Sequence, residues 1–240
     1  QAIFKEWFVN FNFPGFDGEL VDGLPKGWRW VSIGDLFGLT VGGDWGQEEY
    51  TAEFCKNVFI VRGTDFDKIL SGNKSSIPYR FIKKSNFDKR RITGGDILLE
   101  ISGGSKEQPT GRTILITDEL LSMFDNPVVP ASFCRLIRPK DSSYSLFLDN
   151  FFNYFYQIGG TWEYQNQSTG ISNFQFKFFS ENKKIALPKD ECLINKFSKI
   201  IQPFKKRIDE NILQIQTLTQ TRDVLLPRLM SGKLKVKNEK

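Results

Sequence analysis

From Ile194 onward, apolar residues recur at alternating spacings of three and four. The positions are Ile194, Phe197, Ile201, Phe204, Ile208, Asn211, Ile215, Leu218, Arg222, Leu225 and Leu229, and nine of the eleven are apolar. Such spacing draws one narrow stripe along a helix, of the width a single partner helix covers. Asn211 and Arg222 are polar members of the stripe, and residues of this kind fix register at a cost in stability. Pro203 is expected to kink the helix or start a second one, Pro227 to disturb its last turns, and Gly232 to end it. A helix of about 40 residues is about 60 Å long, whereas a compact body of about 165 residues is about 40 Å across. Part of the helix must therefore project. Its stripe then calls for a second helix, from elsewhere in a longer chain or from another copy. Packing of the stripe on its own body is the competing reading.

The rest of the 240-residue chain divides ahead of that helix. Residues 1–23 read as the end of an apolar helix, with Ile3, Phe4, Trp7 and Phe8 on one face, followed by the Gly/Pro/Asp-rich linker "NFPGFDGELVDG". With Gln1 rather than Met inside that helical run, the sequence is expected to be a piece or processed product of something longer. Residues 24–189 form a mixed body, 190–232 the long helix and 233–240 a basic tail. Within the body, "NVFIVRG", "GDILLEIS", "RTILITD", "SFCRLIRP" and "KKIALP" are expected strands bounded by turn residues. Leu148, Phe151, Phe152, Phe155 and Tyr156 follow a helical period that stops at Gly159-Gly160. Strands and helices mixed without regular alternation predict an α+β fold.

Composition narrows the chemistry. There is no histidine, which removes His-based triads and the commonest general base. Cys55, Cys134 and Cys192 are odd in number and far apart, so neither a disulfide framework nor a zinc site is expected. Reduced, buried thiols in a cytoplasmic protein fit better. No apolar run reaches membrane-spanning length. The 23 phenylalanines are read as core. No phosphate-binding or dinucleotide loop is present, and no cofactor is expected. The carboxylates Asp96 and Glu100, four residues apart in one strand, with Lys106 following, are the one trio a metal-dependent nuclease could use. The competing reading makes Asp96 a turn cap and Glu100 an edge-strand charge.

Charge is more informative. Residues 193–240 carry 11 Lys/Arg against 4 Asp/Glu, a net +7, while residues 1–192 are at −2, so a nucleic-acid surface on the body must be local. The stretch "KSSIPYRFIKKSNFDKRR" at 74–91 supplies one: Lys74, Arg80, Lys83, Lys84, Lys89, Arg90 and Arg91 against Asp88 alone, interleaved with Tyr79, Phe81 and Phe87. Such a cluster neutralises phosphates. Alternatively it balances the acidic stretch "DWGQEEYTAE". Two polar loops suit base edges. "ISGGSKEQPTGRT" offers Ser105, Lys106, Gln108, Thr110 and Arg112, and "GTWEYQNQSTGIS" offers Gln165, Asn166, Gln167, Ser168 and Thr169. Arg and Lys match the guanine edge, and Asn and Gln match adenine.

Taken in order, "LPKGWRWVSIGDLF", "VGG", "GDILLEISGGS", "TGR", "IALP" and "KRIDENILQIQTLTQTRDVLLPRLMSGKL" resemble the specificity subunit of type I restriction-modification systems. The resemblance covers nearly the whole chain but about half of a full subunit. It implies a target-recognition domain that reads one half of a split duplex DNA site, and a conserved helix that pairs with a second conserved helix. That helix would come from the rest of the subunit or from another copy. It further implies docking to methyltransferase subunits and, through them, to the restriction subunit, which would hold the catalysis. Where the family often has Gly-Gly-Thr-Pro, this chain has Gly42-Gly43-Asp44-Trp45, so no role is carried over to that turn. Two rivals stand beside this reading: a coiled-coil adaptor that binds only protein, and the metal-dependent nuclease.

Overall fold

The computed structural model of the chain describes residues 1–104, 107–168 and 171–233. In chain order the elements are α1 (Ala2–Phe8), β1 (Leu20–Val21), β2 (Leu24–Pro25), β3 (Trp28–Ser32), β4 (Phe37–Gly42), β5 (Lys56–Val61), α2 (Phe66–Leu70), β6 (Tyr79–Ile82), α3 (Lys84–Arg90), β7 (Ile97–Glu100), β8 (Ser102–Gly104), β9 (Thr113–Leu115), α4 (Asp118–Leu121), β10 (Val128–Pro130), β11 (Cys134–Pro139), α5 (Ser143–Gln157), β12 (Gln165–Ser168), β13 (Ile171–Phe174), α6 (Phe176–Asn182), β14 (Lys184–Pro188) and α7 (Cys192–Met230). The fold is α+β. Each of the five expected strand runs contains a strand. The strand β6 inside the basic stretch and the hairpin β12–β13, where an irregular loop was expected, are additions.

A four-stranded sheet of order β4-β11-β7-β9, antiparallel throughout, divides the interior. Alternation on its strands feeds two cores. Ile97, Leu99 and Ile137 point into a large aromatic core with α1, α5, α6, β14 and the start of α7. Leu98, Cys134 and Leu136 point into a second core with Phe66, Ile69, Leu120 and Ile212. Burial on both faces is why "ILLE" of β7 is a continuous apolar run ending in a charge. A second sheet, β10-β5-β6, includes a parallel β10–β5 pair and is covered by Phe87 of α3.

Helix α5 buries Phe147, Leu148, Phe151, Phe152 and Phe155, and Gly159 (φ +75°) turns the chain out of it. Its aromatic side also meets α1: Phe4 and Phe8 lie 5.5 and 4.9 Å from Phe147, and Phe8 lies 5.3 Å from Phe197 of α7. The expected boundaries after residue 23 and before residue 190 therefore both run through one core. The glycine run after β4 has a steric reason. A Cβ on Gly43 would sit 2.0 Å from the Ala131 carbonyl oxygen. Of the cysteines, all three are free thiols, but only Cys134 is buried; Cys192 is exposed, which corrects the expectation for it. Burial pushes the Cys134 thiol up to about 12, with the Glu100 charge adding to it.

Helix α7 is continuous through both prolines. Pro203 does not begin a second helix, and Pro227 lies within the helix, which runs on to Met230 before Gly232 turns at φ +68°. The heptad stripe is divided. Ile194 and Phe197 are buried in the aromatic core and Ile201 packs on it. From Phe204 on, the stripe is open: Phe204 is 63% exposed, Ile208 52%, Ile215 47% and Leu218 67%, and Asn211, Arg222, Leu225 and Leu229 are exposed as well. The stripe opens because the aromatic core beneath the helix ends near Ile201, and the next part of the body meets a neighbouring face of α7, at Asp209 and Ile212. The side facing the body returns after eighteen residues, which is five turns, and that position is Ile212, 4% exposed. There α7 is latched to α4. Thr117 Oγ1 caps α4 by accepting from Leu120 N and donates to buried Asp209, which Lys205 also pairs at 2.6 Å.

Candidate nucleic-acid interface

Strands β4 and β7 end, and β11 and β9 begin, at the same end of the central sheet. Four features converge there: the turn Gly42–Gly46, the β7–β8 exit, Phe133 at the entry to β11, and Arg112 at the entry to β9. The hairpin β12–β13 is rooted at the same place. Strand β13 pairs with β8, Ile101 N donates to Phe133 O, and Phe174 N donates to Ile101 O. Helix α3 closes one side, because Asn86 and Arg90, four residues apart and so on one helical face, both reach the glycine turn. Asn86 Nδ2 donates to Asp44 Oδ2 at 2.7 Å and Arg90 Nε donates to Gly42 O at 2.9 Å. Asp44 Oδ1 meanwhile accepts from Trp45 N and Gly46 N, which fixes the turn.

The predicted residues fall into three groups. In the first, folding has already engaged the side chain. Gln165 Oε1 accepts from Thr110 N, Thr110 Oγ1 and Ser172 Oγ, while its Nε2 donates to Thr110 O and Thr161 O. Its amide is saturated and staples the hairpin to the β8–β9 connection. Arg112 is equally committed. Nε and Nη2 form a fork on buried Glu100 at 3.0 and 2.9 Å, and the guanidinium also reaches Gly63 O and Asp67. Hydrogen bonding to Glu100 raises the Arg112 pKa. The carboxylate in turn needs a glycine beside it, since a Cβ on Gly63 would meet Glu100 Oε1 at 2.3 Å.

The second group is balanced by acids on the surface. Arg80 pairs with Glu48 and stacks on Trp45 at 5.2 Å; Lys83 pairs with Glu53 and lies 5.1 Å from the Phe54 ring. For these two residues the acidic stretch is the partner. Lys74 donates to Met123 O and pairs with Asp125, and it lines a groove between the 71–75 turn and Gln216 and Asp223 of α7. It is not part of the glycine-turn end.

The third group is open to solvent. Lys84 and Lys89 on α3, and Arg91 just after it, are exposed and form no ion pair among the described residues; Arg91 leans on the Phe87 ring at 5.9 Å. Asn166 is exposed on β12 and Gln108 in the β8–β9 connection. Ser105, Lys106 and Thr169 lie outside the described residues, and Gln167 is described in its backbone alone. Sequence reasoning missed Arg135, which sits opposite Gly42 on β11 and stacks on Phe176 at 5.0 Å. It lies within the expected strand "SFCRLIRP", where the signal is an arginine alternating with Cys134 and Leu136, both buried.

Of the nuclease trio, Asp96 and Glu100 are each engaged by an arginine, and Lys106 lies outside the described residues. Asp96 holds Arg138 through two bonds of 2.8 and 2.7 Å and also accepts from Thr93 N and Oγ1, so it caps the turn. Glu100 holds Arg112 and lies in an interior strand, which corrects its placement at an edge. Among the described residues no three Cys, Asp or Glu side chains are grouped as metal ligands, and no helix is long and apolar enough to cross a membrane.

No family model matches the chain. It is similar to the type I restriction enzyme MjaIX specificity subunit of Methanocaldococcus jannaschii, 25% identical over 244 residues that cover 98% of this chain and 52% of that subunit. The chain thus spans about half the length of the curated relative it matches. In fold it is similar to the crystal structure of a type I restriction-modification S subunit from M. genitalium, with a TM-score of 0.54 and 14% identity over 89% of this chain and 48% of that one. The HsdS subunit from Thermoanaerobacter tengcongensis aligns over 97% of this chain and 50% of its own at a TM-score of 0.44 and 16% identity. Over nearly all its length, the chain resembles one half of a type I specificity subunit.

Proposed function

We propose that this chain is a non-catalytic reader of duplex DNA. It would recognise one half-site of a split target and use α7 to join a second conserved helix and the methyltransferase subunits, which connect to the restriction subunit. The observation that carries this reading is the end of the central sheet. There the root of a hairpin, a fixed glycine turn and α3 come together, and Lys84, Lys89 and Arg90 of α3 form no ion pair among the described residues. Phosphate contacts would position the duplex through Lys84, Lys89, Arg90 and Arg91. Base contacts would come from the hairpin and the β8–β9 connection, with Asn166, Gln167, Gln108, Ser105, Lys106 and Thr169 as candidates. Arg80 and Lys83 would contribute only after exchanging Glu48 and Glu53 for phosphate. The open stripe on α7 suits a partner helix from the rest of a subunit or from a second copy.

Selection of bound duplexes from a random pool tests this, run at two salt concentrations with and without a methyltransferase partner. Enrichment of a motif of a few base pairs is expected. Enrichment only with the partner would mean that the chain reads bases but relies on the complex for its grip. No enrichment in any arm would favour the protein-only adaptor, which the open stripe alone would also suit.

A further inference from the structure

Among the described residues, six arginines are half-buried: Arg62, Arg80, Arg90, Arg112, Arg135 and Arg138. Four of them hold a carboxylate, namely Asp65, Glu48, Glu100 and Asp96 respectively for Arg62, Arg80, Arg112 and Arg138. The other two, Arg90 and Arg135, meet at the same residue. Arg90 Nε donates to Gly42 O, and Arg135 Nη1 lies 3.9 Å from where a Cβ on Gly42 would stand. Each also carries a nitrogen shut off from solvent without a partner, Arg90 Nη1 and Arg135 Nε. Partly desolvating a guanidinium costs free energy unless an anion compensates it. The nearby turn carboxylate of Asp44 is turned to Trp45 N, Gly46 N and Asn86 and forms no ion pair with either arginine among the described residues. Burial lowers the Arg135 pKa, and Arg135 forms no ion pair among the described residues.

We propose that Arg90 and Arg135 form a seat for one phosphate group above Gly42, filled by a phosphodiester of the bound duplex. Arginine suits this role because its planar fork matches phosphate oxygens. Both forks are held before binding, Arg90 by its bond to Gly42 O and Arg135 by stacking on Phe176. Position 42 has no side chain to fill the space, and α3, which brings Arg90 to it, also carries Lys84 and Lys89. The inference deepens the DNA-reading proposal and depends on it only for the source of the phosphate.

The test uses the full chain, labelled with nitrogen-15, and follows the arginine Nε–H resonances. Inorganic phosphate is titrated against chloride at constant ionic strength. The Arg90 and Arg135 signals are expected to shift together and to saturate with phosphate alone. Gly42→Asp should abolish the response while the chain stays folded, since it supplies an internal carboxylate. In duplex binding, the double variant Arg90→Gln, Arg135→Gln should reduce the slope of log K against log[salt] by about 0.9, the share of one phosphate. Arg135→Lys, which keeps the charge and loses the fork, should bind inorganic phosphate at least several-fold more weakly. Absence of a phosphate-specific shift would overturn the seat. A shift with an unchanged salt slope would overturn its assignment to DNA. A shift in a wild-type chain that binds no duplex would keep the seat and defeat the DNA reading instead.

Discussion

Replacing Gln165 with alanine removes an acceptor shared by Thr110 and Ser172 and two donors to backbone carbonyls. Orphaned partners in a half-buried site cost about 1–3 kcal/mol each when unrelieved by water, so a drop of about 3 kcal/mol is expected in chemical denaturation. Asn166→Ala, on an exposed neighbour, should leave stability within about 0.5 kcal/mol and change sequence preference in the selection experiment. Glu100→Gln leaves the Arg112 charge without its fork, and removing one partner of a buried pair costs about 3–5 kcal/mol. If Gln165→Ala altered base preference at unchanged stability, the staple assignment would be wrong. Residue type could not separate these neighbours in sequence. Gln165 and Asn166 are equally good adenine readers by chemistry, and only the packing of β12 against Thr110 commits one of them.

At the scale of elements, α7 has two sides with different duties. Ile212→Ala on the latched side should cost about 2–4 kcal/mol, as measured by urea unfolding. Leu218→Asp on the open side should leave monomer stability unchanged and abolish association with a partner helix, as read by analytical ultracentrifugation at rising concentration. The packing of α5 on α7 also predicts a pH effect. Burial pushes the Asp149 carboxyl up to about 6, against the pull of Lys205 and the Asn153 amide, and Asp209 adds to the rise. A carboxyl raised in the folded state takes up its proton more readily there than in the unfolded chain. This group therefore favours folding below about pH 4, and the benefit disappears as pH rises through about 6. Asp149→Asn should stabilise the chain at pH 7 and flatten that part of the pH profile. The helical stripe was legible because periodicity is local. Its division at Ile201 was not, because that depends on where the body ends beneath the helix.

For the whole molecule, the placement of charge matters more than its sum. Charge reversal at Lys84, Lys89 and Arg91 should weaken binding to every duplex alike and lower the salt slope by about 0.9 for each phosphate no longer neutralised. Reversal at Lys83 should do less, since Lys83→Glu also faces Glu53 and reports local repulsion more than a missing phosphate partner. Equal effects on slope from both sets would show that the acidic stretch swings away on binding. The 74–91 stretch is one block in sequence, but folding sends Lys74 beside α7, Arg80 and Lys83 against the acidic stretch, and α3 to the glycine turn.

The sequence by itself determined the mixed fold, α5, the five strand runs, the long helix and its apolar stripe, because each of these is written in spacings of two to four residues or in turn chemistry. It also removed histidine from any site, because it contains none. Tertiary structure decided which of those side chains are already engaged. Gln165, Arg112, Asp96 and Glu100 have partners 7 to 55 residues away in the chain, and Arg135 meets Gly42 only through the pairing of β4 with β11. A side chain can read a ligand when folding has not already satisfied it, and that is set by contacts between distant parts of the chain.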